Sequence, residues 1–101
     1  MLEIRPTCEH CNTALPNDSD EAMICSFECT FCRTCVEEIL HNVCPNCGGG
    51  FEKRPTRPVN CTTGNCVEKY PVSSIEVHKP IKQDAFKEVL ETFENVEPRN
   101  R

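Results

Sequence analysis

The sequence contains no tryptophan, one tyrosine and five phenylalanines, so no large aromatic core can be built from it. Roughly the first fifty residues also hold few large aliphatic side chains, and a chain of 101 residues composed this way rarely buries enough surface to fold unaided. No apolar run approaches the ~20 residues of a membrane span. The N-terminal stretch Met1-Leu2-Glu3-Ile4-Arg5-Pro6-Thr7-Cys8 has neither the basic segment nor the apolar core of a secretory signal. An excess of basic charge is missing too: 11 Lys and Arg face 16 Asp and Glu, for a net charge of −5. Nonspecific phosphate binding depends on Lys and Arg, and eight metal-bound thiolates would outweigh the charge of two divalent ions. Nucleic acid is therefore disfavoured as a partner. Phe27, Phe31 and Phe51 are expected in the small core rather than stacked on bases.

What the sequence has in quantity is cysteine, ten in all. Disulfides need an oxidising compartment and therefore an export signal. With none visible, a cytoplasmic location is expected, where clustered thiols favour zinc. Eight of the ten follow the pattern C-x2-C-x13-C-x3-C-x2-C-x2-C-x8-C-x2-C from Cys8 to Cys47. Each close pair can present two sulfurs to an ion about 2.3 Å away, and two pairs complete a tetrahedron. Eight such thiolates make two zinc sites. The spacing leaves open which pairs share an ion. Sequential pairing joins Cys8, Cys11, Cys25 and Cys29, then Cys32, Cys35, Cys44 and Cys47. Alternating pairing joins Cys8, Cys11, Cys32 and Cys35 at site one and Cys25, Cys29, Cys44 and Cys47 at site two.

Between and beyond these cysteines the pattern is short and mixed. Ile4 can pair as a strand before Pro6 interrupts, and residues 12–21 read as a polar loop. Ala22-Met23-Ile24-Cys25 and Phe27-Glu28-Cys29 read as a short β-hairpin. Val36, Ile39 and Leu40 predict about two turns of helix over Thr34–His41. The glycines at 48–50 suit a backbone that wraps close to a metal. Lys53, Arg54 and Arg57 form a basic cluster read as a solvated, proline-punctuated linker. Phe86, Val89, Leu90 and Phe93 recur at helical spacing, predicting an amphipathic helix over about 82–95. Its apolar stripe is expected to pack on the cysteine module, with a seam for a second copy of the chain as the sharper alternative, and residues 95–101 should fray. The fold class expected is small, metal-bound α+β. Its parts are a two-zinc module over residues 1–52, an irregular extension over 53–80 and a C-terminal helix over 81–96.

The segment Phe27-Glu28-Cys29-Thr30-Phe31-Cys32-Arg33-Thr34-Cys35 and the closing Cys44-Pro45-Asn46-Cys47 resemble the RING finger family, with cysteine where many members carry histidine. That resemblance implies the alternating, cross-brace pairing. A second resemblance covers most of the chain. Met1-Leu2-Glu3-Ile4-Arg5-Pro6, Ile24-Cys25-Ser26-Phe27-Glu28-Cys29-Thr30-Phe31-Cys32, Cys44-Pro45-Asn46-Cys47-Gly48-Gly49, Lys69-Tyr70-Pro71 and His78-Lys79-Pro80 are similar to a bacterial family named domain of unknown function 1272. It implies the zinc module and no activity.

A RING-like pattern suggests ubiquitin-ligase activity. In that family an apolar residue before the second cysteine and a cation after the last one engage the conjugating enzyme; here those positions hold His10 and Gly48. Hydrolytic zinc chemistry needs an open coordination position, which four-thiolate sites lack. His10 and His41 sit beside better thiolate ligands and read as surface or supporting histidines. Cys61 and Cys66 stand outside the zinc pattern. They can remain free thiols, form a disulfide across the loop holding Gly64, or join His78 at a third metal site, and a redox- or zinc-responsive regulator using them is an alternative function. The expected role is a non-enzymatic structural zinc module that contacts another protein.

Overall fold

The computed structural model describes residues 1–101. Three strands, β1 (Ala22–Ile24), β2 (Thr30–Cys32) and β3 (Glu52–Lys53), form an antiparallel sheet in the order β2-β1-β3. Met23 lies opposite Phe31 on one side and Lys53 on the other. A single helical turn, α1 (Arg33–Cys35), runs directly from β2 into a widened π turn over Val36–Leu40. The second helix, α2, spans Gln83–Phe93, and a 3₁₀ turn at Pro98–Asn100 closes the chain.

The second hairpin strand begins three residues later than the sequence pattern suggests. Glu28 takes the left-handed conformation at φ 67°, and the Cys25 amide bonds to the Cys29 carbonyl at 3.2 Å. The stretch from Cys25 to Cys29 is thus a tight knuckle that brings two sulfurs round, and pairing resumes at Thr30. Thr30, Phe31 and Cys32 are all buried. Phe27, expected in the core, sits on the outside of that knuckle and is 71% exposed. The first helix ends where His41 and Asn42 turn left-handed, at φ 49° and 59°.

Phe31 and Phe51 meet edge to face with centroids 5.5 Å apart, and Leu15, Ala22, Val36, Leu40, Val43 and Phe86 complete the aliphatic and aromatic part of the core. The basic cluster is not a solvated linker. Arg54 is 2% exposed and donates to the carbonyls of Arg5, Leu15 and Pro16 at 2.8–3.0 Å. It fastens the first cysteine loop to the end of β3. Arg57 exchanges two hydrogen bonds with Asn17 and donates to Tyr70 O at 2.7 Å. The extension over 53–80 therefore lacks regular structure beyond β3 yet is pinned along its length. Ile4 is buried without belonging to a strand; its carbonyl accepts from the Ser73 amide at 2.9 Å.

The last residues form an arm across the module. Lys79 N bonds Glu9 O at 2.7 Å, and Ile81 N donates to His10 Nδ1 at 2.9 Å. The stripe of α2 packs inward: Phe86 is buried, and Val89, Leu90 and Phe93 lie against the core. The tail does not fray. Arg101 donates to Asn42 O at 2.6 Å and to Gly48 O at 3.3 Å, with Pro98 against Gly50. At Gly48, φ is +78° and a β-carbon would stand 2.4 Å from the Phe93 ring. Gly48→Ala should then cost about 2 kcal/mol through left-handed strain and the clash together. It should loosen the arm, read as faster tryptic cleavage after Lys82 and Lys87. Unchanged cleavage would show that Phe93 does not seat there.

Candidate metal centre

The crossed arrangement is the one the chain adopts. The sulfurs of Cys8, Cys11, Cys32 and Cys35 lie within 4.8 Å of one another, and so do those of Cys25, Cys44 and Cys47. Cys29 contacts Cys44 and Cys25 through sulfur but stands beyond that distance from at least one of the three, so the second quartet is drawn together less tightly. The local causes are plain. Cys32 ends β2 and Cys35 ends α1, so strand and helix hold site one's second pair rigidly. The first pair sits in a turn tied by Cys8 N to Thr13 O at 2.9 Å and by Asn12 N to Cys8 O at 3.0 Å, with Asn12 left-handed at φ 62°. Gly48 N to Cys44 O at 2.8 Å and Cys44 N to Gly49 O at 2.8 Å close the last knuckle in the same way.

Both quartets suit zinc. A tetrahedron with bonds of about 2.3 Å has edges of roughly 3.8 Å, and the Cys11 and Cys32 sulfurs are 3.7 Å apart. The donor set is all sulfur, as structural zinc prefers. At site two, N–H groups point at the sulfurs: Phe27 N to Cys25 Sγ at 3.3 Å, Asn46 Nδ2 to Cys29 Sγ at 3.3 Å and Gly49 N to Cys47 Sγ at 3.4 Å.

Within each quartet the sulfurs hold protons unevenly. The Cys44 thiol donates to Cys29, which lowers Cys29 to about 5 and raises Cys44, with burial adding to the rise. Burial pushes Cys25 and Cys32 up, and it pushes Cys35 far up with help from its contact with Cys32. Burial also works to raise Cys11, but hydrogen bonds from the Thr13 amide and neighbouring sulfurs outweigh it and leave Cys11 lowered. A divalent ion at the centre would take the place of these protons.

A buried carboxylate braces the crossing. Glu9, between two cysteines of the first knuckle, accepts from Thr30 N at 2.5 Å and from Arg5 Nη1 at 2.7 Å, while Glu9 N bonds Thr30 O at 3.0 Å. Burial alone would lower the Arg5 guanidinium, but the hydrogen bond and charge of Glu9 hold it above its ordinary value. This joins the Cys8–Cys11 knuckle to the point where the chain passes from one quartet to the other. Sequence reasoning missed Glu9, Arg5, Asn46 and Arg54. For Glu9 and Asn46 the available signal was their place inside the knuckles, where a polar side chain is bound to lie beside sulfur or amide groups.

Cys61 and Cys66 are joined in a disulfide, so of the three states open to them this is the one adopted. His78 Nε2 lies 3.2 Å from His10 O and belongs to neither sulfur cluster. His41 takes no part in either quartet; its left-handed backbone ends the helix.

Residues 1–57 match the family described as Protein of unknown function (DUF1272). An uncharacterized protein of Rhizobium meliloti (strain 1021) is 51% identical over 80 residues, covering 79% of this chain and 89% of that one. The chain belongs to DUF1272. The DUF1272 match contains all eight clustered cysteines, Glu9, Arg54 and the whole sheet, and it stops at Arg57, before the disulfide and the arm. No solved structure matches the chain. No helix is long and apolar enough to cross a membrane.

Proposed function

We propose that this DUF1272 protein is a structural two-zinc module whose work is contact with another protein. The crossed grouping of eight cysteines carries the zinc part: four sulfurs around each centre give a closed site with no position for a reacting water. The contact part is supported by large apolar side chains left outside. Phe27 is 71% exposed beside site two, and Met1, Val59, Tyr70 and Ile75 are exposed elsewhere on the surface. A polar-rimmed apolar surface of this kind suits a protein partner.

The arm bears on the ligase alternative. The His10 ring is taken up by the Ile81 amide, and Gly48 lies under Phe93. Two of the positions through which a RING finger engages a conjugating enzyme are covered by the chain's own arm, which favours the non-enzymatic reading. Elemental analysis of protein purified without added metal should give close to two zinc ions per chain; one or three would overturn the ligand assignment. Capture of partners from the native host should be strong with the natural chain and lost with Phe27→Asp. Equal capture by both would remove Phe27 from the contact, and ubiquitin discharge from an added conjugating enzyme would restore the ligase.

A further inference from the structure

The two quartets differ in what surrounds them. Cys11 is exposed, while six of the other clustered cysteines, Cys32 and Cys35 among them, are buried and Cys47 is half-buried. Cys11, Cys32 and Cys35 open together onto one surface groove of about 590 Å³, walled by His10, Thr13 and Ile39. A small reagent entering it thus meets Cys11 first, with Cys32 and Cys35 buried behind it. Within it, the Cys11 and Cys32 sulfurs are in contact, 3.7 Å apart. Site two is shielded by the arm. Its groove of about 630 Å³, lined by Cys25 and Cys47, is walled by Glu97, Pro98, Arg99 and Arg101.

We propose that Cys11 and Cys32 form an oxidative modification site, at which a small peroxide releases the zinc ion of site one while site two keeps its own. The inference rests on the two-zinc reading. The Cys11 thiolate attacks one peroxide oxygen; the O–O bond breaks, hydroxide leaves and Cys11 becomes a sulfenic acid. The Cys32 thiolate then attacks the Cys11 sulfur; the S–O bond breaks, a second hydroxide leaves and a disulfide forms. Two thiolates have given two electrons to the peroxide. The ion, left with Cys8 and Cys35, has lost half its ligands and dissociates. The Cys61–Cys66 disulfide is already oxidised and takes no part.

The test uses the full chain carrying a measured two zinc ions. Hydrogen peroxide is added at one equivalent, zinc release is followed with a colorimetric chelator, and thiols are trapped with N-ethylmaleimide for peptide mapping. The first ion should leave at least about tenfold faster than the second. The disulfide formed with it should join Cys11 to Cys32, with Cys25, Cys29, Cys44 and Cys47 still alkylatable. Phe93→Ala with Arg101→Ala, in the full-length chain, should speed release of the second ion and leave the first unchanged. Two ions leaving together, or a first disulfide containing a site-two cysteine, would overturn the proposal and leave the two-zinc reading standing. A chain that takes up fewer than two ions fails that reading, and the proposal with it.

Discussion

Stripping the metal with a strong chelator should collapse the fold. The amide spectrum should lose its dispersion, and the heat-capacity peak of cooperative unfolding should vanish. Each structural zinc contributes on the order of 10–16 kcal/mol of apparent binding free energy in zinc-finger peptides, against roughly 5–15 kcal/mol for the whole stability of a domain. The packing cannot cover that loss. Of the 14 residues in the core cluster, six are the cysteines Cys8, Cys25, Cys29, Cys32, Cys35 and Cys44, and they lie where a larger domain would place leucine or valine. Without an ion those sulfurs crowd one another with protons to dispose of. Re-addition of zinc should restore the spectrum. A metal-free chain that keeps dispersed amides and a cooperative transition would refute the view of zinc as the fold's main fastener.

The next largest effect is expected at Arg54. Replacing it with alanine withdraws the donor from three carbonyls, those of Arg5, Leu15 and Pro16. Each buried acceptor left unpaired costs about 1–3 kcal/mol. Part of that is offset because no carboxylate pairs with Arg54, and burial lowers its pKa, so the native state already bears the cost of holding a cation out of water. The net loss should be about 2–4 kcal/mol, which for a chain of this length lowers the melting temperature by roughly 10 °C or more. Lysine should recover little, since one ammonium cannot reproduce a planar fork aimed at carbonyls from two segments. Zinc-loaded Arg54→Ala and Arg54→Lys compared by scanning calorimetry would decide this, and a shift of under two degrees for the alanine variant would mean the first loop is held without that guanidinium.

Much of this architecture is written in the sequence, for a physical reason. Metal ligation is a local signal: cysteine pairs at fixed spacing declare the knuckles, and the stripe of Phe86, Val89, Leu90 and Phe93 declares α2. Arg54 was unreadable because an arginine between a strand and a proline carries the same local pattern whether it meets water or three carbonyls. The shift of β2 from Phe27 to Thr30 follows from backbone geometry at Glu28, where an ordinary residue takes a glycine-like turn and ejects Phe27. The tail reads as loose in the sequence because nothing near Arg101 announces Asn42 and Gly48 as its acceptors. The state of Cys61 and Cys66 likewise depends on a fold that sets the two sulfurs face to face.

The crossed grouping has an entropic side. The loop closed at site one runs from Cys8 to Cys35, that closed at site two from Cys25 to Cys47, and the two overlap from Cys25 to Cys35. Whichever ion binds first fixes the overlap and shortens the free chain the other must close. Halving such a loop removes about 0.6 kcal/mol of closure cost, and fixing the ends of β2 and α1 removes further backbone freedom. The two binding events are therefore linked through the chain although no ligand is shared. A calorimetric zinc titration should register this as positive cooperativity, with half-loaded molecules scarcer than independent sites would leave them.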